Sequence, residues 1–339
     1  MSEDINWMNN KPKRKYKYRC KICKSKLQKR SKTAAGKQRW QCVTCARSST
    51  KPRPDLSRGF VFERFIYWLL GKQNQDELKQ PPRTFRDQTS WCWDVAIPHV
   101  LTGEIHRAIN VDGIRVGGWV CLIARTTKYV VHWIWVPYES SQYWMELFQL
   151  LPQPEYIVCD GQKGLLKAIA ICWPTTIVQR CRFHAWLNIK TKLTLNPKSK
   201  ASQQLLKLTR DLLQIRTRRQ ARRWKRQLKY WYRKNRKFID QRTIKHDPKP
   251  RERRWRYTHE RLRSAYRQLY KITDDLLQSS YRPNSELPST TNHIEGGINS
   301  QIRTKLKAHR GMQIEHQIKL VDWYLYSRTE SPKPPRKCL

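Results

Sequence analysis

Two acidic residues interrupt apolar runs in this chain. AINVDGIRV (108–116) carries Asp112, and EYIVCD (155–160) ends on Asp160, with Gly161 next and Lys163 close behind. A carboxylate is out of place in a half-buried strand unless something binds it. For Asp112 the competing reading is a hairpin turn, because Asp-Gly is a favoured two-residue loop. That turn would leave only Ile114-Arg115-Val116 before Gly117-Gly118, which lies between longer apolar runs and makes the better hairpin. For Asp160 the competing reading is an Asx-type turn at a strand end. As a pair on neighbouring strands the two suit metal ligation. Carboxylates hold hard cations such as Mg2+ or Mn2+, which neutralise phosphate oxygens and activate an attacking oxygen. A two-metal phosphotransfer site calls for a third carboxylate. Glu295, in STTNHIEGGINSQIRTKLKAHRGM (289–312), is the candidate at a predicted helix start, where Asn292 and Glu295 also match a capping box.

A second constellation lies near the start. CKIC (Cys20, Cys23) and CVTC (Cys42, Cys45) are separated by 18 residues. Zinc takes four such ligands in a tetrahedron, and two Cys-x-x-Cys turns at this spacing supply them from two knuckles. The alternatives are a redox pair or unrelated thiols, and no strand–helix context of a redox fold surrounds them. The residues between are basic, so Lys26, Lys29, Arg30, Lys37 and Arg39 are expected to meet nucleic-acid phosphates.

The elements that must position these groups can be traced from periodicity. Residues 108–116, 119–125 and 129–136 read as three successive strands. A helix over 140–151 follows, capped by Ser140 or Ser141, then a strand at 155–160, a helix at 161–173 and a strand at 175–181. This is the element order of a ribonuclease-H-like α/β domain, and other α/β folds share it. Five segments are expected: a zinc ribbon (1–54), a small helical domain (55–104), the first part of the core (105–190), an all-α basic insertion (191–288), and the final helices of the core with Glu295 and a basic tail (289–339). The helical segment 55–104 suits a helix-turn-helix or a plain helical linker. In the insertion, Leu205, Leu208, Leu212 and Ile215 recur at helical spacing. Trp224, Trp231, Trp255 and Tyr257 stand among arginines, where they either pack helices or stack on unpaired bases.

Charge points to the partner. The chain carries 70 Lys and Arg against 26 Asp and Glu, a net +44. Residues 1–58 are net +15 and residues 201–270 net +19, whereas residues 105–190 are only +4. A nearly neutral core between two basic segments implies a polyanion, first of all nucleic acid. No apolar stretch is long enough for a bilayer, and the first residues lack a signal-peptide run, so an intracellular protein with reduced cysteines is expected.

VDGIRV, VCDGQKG, CRFH and NHIEGGIN, in that order and with a helical insert before the last, resemble the DDE transposases of bacterial insertion sequences. The nearest branch is the one related to Mutator-like transposases, and the resemblance covers about residues 100–326. It implies Asp112, Asp160 and Glu295 as a triad for two Mg2+ or Mn2+ ions, with Cys181 and His184 as a supporting Cys-x-x-His. It further implies double-stranded DNA as partner, both the terminal inverted repeats and the target, and a homodimer in the active complex. Location would be the bacterial cytoplasm, at the nucleoid. Lys163, Arg303, Lys305 and Lys307 are the expected DNA contacts around the triad, with Ile298, Ile302 and Leu306 towards the core. Rival readings are a non-catalytic zinc-ribbon DNA-binding regulator and a ribonuclease-H-like nuclease.

Overall fold

The computed structural model describes residues 19–20, 23, 25–50, 58–71, 78, 80–99, 101–244, 246, 254–282, 287–290 and 297–339. The chain forms two compact units, one of residues 1–99 with 305–339 and one of residues 100–304. Among the described residues no helix is long and apolar enough to cross a membrane.

The first unit opens with strands β1 (Leu27–Lys32), β2 (Gln38–Cys42) and β3 (Ser48–Thr50), paired antiparallel in that order. Gly36 makes the β1–β2 turn at φ +71°, a backbone conformation that costs other residues steric energy. The sheet is too small for a core of its own: Leu27 and Trp40 are buried only with Cys20 and Cys42. Helices α1 (Arg58–Leu70) and α2 (Pro82–Thr89) follow. Helix α2 stops at Thr89, and the chain continues as a tighter 3-10 turn, Ser90–Asp94.

The second unit holds the central sheet. Strands β4 (Ala108–Val116), β5 (Trp119–Arg125) and β6 (Val130–Val136) form an antiparallel meander. The β4–β5 turn is Gly117-Gly118, both at positive φ, as the hairpin argument expected. Helix α3 (Ser141–Gln149) begins at the Ser140 cap, whose hydroxyl accepts the Tyr143 N–H at 3.3 Å. Strand β7 (Tyr156–Cys159), helix α4 (Lys163–Cys172) and strand β8 (Ile177–Arg180) complete a five-stranded mixed sheet of order β6-β5-β4-β7-β8, with β4, β7 and β8 parallel. Gly164 lets α4 approach α3 closely, since a methyl there would meet the Ser141 amide at 3.1 Å.

Side-chain alternation divides this sheet by face. Ile109, Val111, Ile157 and Cys159 pack in one cluster with Trp144, Leu147, Phe148, Leu165 and Ala168 of α3 and α4. Tyr156 and Val158 belong to a different cluster, with Leu287 and Ala108. Asn110 and Asp112 continue that second alternation along β4, which turns Asp112 to the face away from α3 and α4.

Helix α5 (Arg182–Leu193) leads into an all-helical region: α6 (Lys200–Asp211), α7 (Arg218–Ile239), a short β9 (Arg242–Ile244) and β10 (Trp255–Tyr257) ribbon, then α8 (Glu260–Lys271), α9 (Thr273–Leu276) and α10 (Gln278–Tyr281). A capping box formed by Thr217 and Gln220 starts α7. Leu205, Leu212, Ile215, Trp224 and Trp231 lie in one apolar cluster here. The indoles of Trp224 and Trp231 donate to the Leu208 and Ala201 carbonyls, so these two tryptophans pack the helices and are not free to stack on bases. Arg182 is fully buried and pins this region to the sheet. It donates to the carbonyls of Leu276 and Ile215 and to the hydroxyls of Ser279 and Ser280. With no acid among those partners, burial lowers its pKa to about 10.

Helix α11 (Ser300–Ala308) follows a wider π-type turn at residues 297–299, and α12 (Ile314–Tyr326) comes last. In the first unit, α1 and α12 share an aromatic core in which Phe62 meets Trp323 edge-on at 5.3 Å and Trp93 stacks on His316 at 3.8 Å. Lys305 corrects an expectation. Its side chain is buried, donates to the Leu70 carbonyl and lies over the Tyr324 ring, so it is used inside the fold and does not face a phosphate. Ile298 and Ile302 are buried as expected, while Arg303 and Lys307 are exposed.

Candidate functional site

The two acids lie on or just after neighbouring strands of the sheet. β4 and β7 pair in parallel with Ala108 opposite Tyr156, Ile109 opposite Ile157 and Asn110 opposite Val158. The pairing ends there, two residues before each acid. Asp112 is part of β4 itself, still paired to Ile123 of β5. Asp160 stands one residue past the end of β7. Among the described residues, no third acid converges closely with these two.

Each acid has one oxygen held by a main-chain donor. Asp112 Oδ1 accepts the Gly113 N–H at 3.0 Å, and Asp160 Oδ1 accepts the Gln162 N–H at 2.9 Å, closing an Asx-type turn. Asp112 Oδ2 accepts the Asn299 side-chain amide at 3.0 Å. Asn299 is the last residue of NHIEGGIN, four positions after Glu295, which itself lies outside the described residues, as does Asn292. Around this pair, the buried amide oxygens of Asn110 and Asn299 accept nothing from the described residues. Asn299 therefore brings a buried acceptor without a donor to the Asp112 carboxylate it bonds, a donor set of the hard-oxygen kind that suits a divalent cation.

Both Asp-Gly pairs are overlain by a side chain. A methyl on Gly113 would lie 2.5 Å from Glu139 Oε1, so the Glu139 carboxylate rests over that glycine. Glu139 sits between β6 and the Ser140 cap, and its pKa is raised, first by burial and then by the negative charge of Asp160. Sequence reasoning missed this residue. The available signal was one of only five acids in residues 105–190, placed directly before a helix cap at a strand end. At the other corner, Gly161 has φ +79° and lies under the Arg180 guanidinium, which donates to the carbonyls of Asp160 and Gly161 at 3.1 and 2.9 Å. Lys163 is exposed at the start of α4. Cys181 is buried at the cap of α5, its N–H bonded to the Cys159 carbonyl at 2.7 Å, and His184 is half-buried one turn on.

The cysteines form a second, separate centre. The four sulfurs of Cys20, Cys23, Cys42 and Cys45 all lie within 4.8 Å of one another. Cys20 and Cys45 are 3.7 Å apart and Cys23 and Cys42 3.3 Å, near the ~3.8 Å edge of a tetrahedron built on zinc–sulfur bonds of about 2.3 Å. Hydrogen bonds from Ser25, then from Cys42, bring the Cys23 thiol down to about 6. The Cys45 thiol is pushed up to about 11: the Arg47 amide pulls it down, and the Cys42 side chain and burial outweigh that pull. Four sulfurs this close together, one of them on an acidified thiol, are consistent with a zinc-binding module. Lys26, Lys29, Arg30, Lys37 and Arg39 are all exposed. Lys29 lies over the Trp40 ring and Arg30 donates to Gln41.

No curated protein matches the chain. Residues 127–246, from the end of the β5–β6 turn to just beyond β9, match the model of the Mutator family of transposases, which gives the chain a family-level likeness to transposases and to the DNA binding they require.

Proposed function

We propose that this protein is a DNA transposase of a bacterial insertion sequence, with a ribonuclease-H-like core that uses Asp112, Asp160 and Glu295 as its metal-binding triad. The observation that supports the proposal is that the two acids sit on β4 and directly after its parallel neighbour β7, with Asn299 of the NHIEGGIN segment bonded to Asp112. Glu295 stands only four residues before Asn299 in the sequence, a span of chain of at most about 14 Å. The Mutator-family match over residues 127–246 supports the same reading.

In this reading the three carboxylates hold two Mg2+ or Mn2+ ions, which supply charge neutralisation at the phosphate and a more acidic attacking oxygen. The Asn299 and Gly113 donors fix Asp112, and the Gln162 amide fixes Asp160, so each acid presents a defined oxygen. Hydrolysis at an element end would leave a 3′-OH on the element and a 5′-phosphate on the flank; that 3′-OH would then attack a target phosphodiester, the target's own P–O3′ bond breaking and its 3′ oxygen leaving as a hydroxyl. Cys20, Cys23, Cys42 and Cys45 hold a structural zinc. The ribbon cations with Lys163, Arg303 and Lys307 hold double-stranded DNA at terminal repeats and target. Two copies pair the two ends, in the cytoplasm at the nucleoid. Cys181 and His184 brace the α5 start behind Asp160.

The Asx turn at Asp160 favours one competing reading, a zinc-ribbon DNA-binding regulator in which this acid only shapes the chain. Changing Asp112, Asp160 or Glu295 to Ala in the full chain separates the two. Mg2+-dependent cleavage of element ends is expected to vanish while duplex binding stays near wild type. A folded Asp160→Ala protein that still cuts would remove Asp160 from the chemistry, and a nuclease without strand transfer would show cleavage with no joined product.

A further inference from the structure

Helix α7 carries eleven Lys and Arg and no acid between Arg218 and Ile239. Its buried stripe is Ala221, Trp224, Leu228, Trp231 and Ile239. At 100° per residue the cations cover the opposite face. Lys225 pairs with Asp274 and Arg236 with Asp240, and the other nine have no carboxylate partner among the described residues. Like charges recur four apart, at Arg218–Arg222–Arg226 and Lys225–Lys229–Arg233, a spacing that weakens an isolated helix. Arg218, Arg219, Arg222, Lys225, Arg226 and Lys229 line a shallow groove of about 720 Å³.

We propose that this face of α7 is a docking surface for the sugar-phosphate backbone of duplex DNA, separate from the acid pair and from the ribbon. The proposal rests on the transposase reading for the identity of the nucleic acid and on α7 alone for the surface. Charge complementarity is the first argument: the face lacks the anions that would offset its own repulsion, and a duplex supplies about one negative charge per 1.7 Å of axis. Shape is the second. A 22-residue helix is a rigid rod about 33 Å long, close to one turn of B-form DNA. The third argument favours a duplex over a single strand. Unpaired strands are held by rows of exposed aromatic rings, whereas Trp224 and Trp231 are turned inward and Tyr230 is the one large aromatic strongly exposed on the described helix.

The test uses the full-length protein and a labelled 40-base-pair duplex of arbitrary sequence, with affinity measured from 0.05 to 0.4 M salt. Changing Arg218, Arg222, Arg226 and Lys229 together to Gln keeps good helix formers and leaves Lys225 with Asp274. Binding at 0.1 M salt is expected to fall at least about 30-fold, and the log–log salt slope to become shallower by about 3. The melting temperature should stay level or rise as the repulsion is relieved. A matched control changes Lys128, Lys167, Lys200 and Arg210 to Gln, all exposed and outside α7, and should lose far less. Equal losses in both variants would reduce the effect to net charge and overturn the proposal, as would an α7 variant that binds like wild type. A variant that loses only single-strand binding would overturn the duplex assignment. Failure of the transposase reading shows differently: duplex binding through α7 would persist in a protein that never cleaves with Mg2+.

Discussion

The two Asp-Gly corners look alike in sequence and differ in mechanics. At Asp112-Gly113 the backbone is an ordinary strand with its partner residues in register, and a methyl on the glycine would meet the Glu139 carboxylate first and Val120 second. At Asp160-Gly161 the chain has left the sheet, the glycine is at φ +79°, and a cation, Arg180, closes over it. One corner covers its glycine with a carboxylate, and the other covers its glycine with a guanidinium that grips the acid's own carbonyl. The same dipeptide thus holds one carboxylate by sheet pairing and the other by a turn and a clamp. The second corner has more to lose.

Gly161→Ala tests that ranking with the largest expected effect. A methyl there would lie 1.9 Å from Arg180 Nε, on a backbone that L-residues rarely adopt. We expect a loss of about 2–4 kcal/mol, combining left-handed strain with the displaced guanidinium, and a collapse of Mg2+-dependent cleavage as Asp160 moves. Adding Arg180→Ala should recover only part of the stability, because the strain of about 1–2 kcal/mol remains. Urea melts of the four proteins measure it. Full recovery in the double variant would mean that φ at this corner costs nothing.

Much of this arrangement was legible in the sequence, and the reasons are local. The strand and helix order came from hydrophobic periodicity over residues 108–181, and the four-cysteine cluster from spacing that few other functions need. The face of Asp112 followed once Gly117-Gly118 was chosen as the hairpin. The lids were not legible. Glu139 reaches Gly113 across 26 positions and Arg180 reaches Gly161 across 19, and no periodic pattern reports which side chain folds over which glycine. Lys305 was misread for a similar reason: its type predicts solvent, and only the fold supplies the Leu70 carbonyl that its ammonium meets. Arg182 likewise passed as one more cation in CRFH, although it is the buried pin between sheet and helices.

Gly113→Ala is the milder counterpart. Its backbone is unstrained, so the methyl has chiefly the tip of Glu139 to displace, at roughly 1 kcal/mol. Combined with Glu139→Ala the cost should nearly vanish, in contrast to the partial rescue at Gly161. A large loss that persists without Glu139 would place the obstacle elsewhere, at Val120, whose Cγ1 would lie 3.3 Å from the same methyl.

The smallest effect separates the corners by charge. Burial and the Asp160 charge raise the Glu139 pKa above its usual 4.5. Between the usual and the raised value the folded chain binds more protons than the unfolded one, so stability falls as pH rises through that window. The contribution is complete below 4.5 and lost above the raised pKa. Glu139→Gln carries no charge at any pH and escapes the loss. With divalent ions chelated, it should melt above wild type at pH 7.5, and the gap should close as pH approaches 4. A gap of constant size would show that the variant acts through packing alone, and a wild type more stable at pH 7.5 would mean that the Glu139 charge is favourably held where it lies over Gly113. Repeating the melts with Mg2+ present sharpens the comparison further, since a cation bound beside Asp160 offsets the repulsion on Glu139 and should narrow the same gap at pH 7.5.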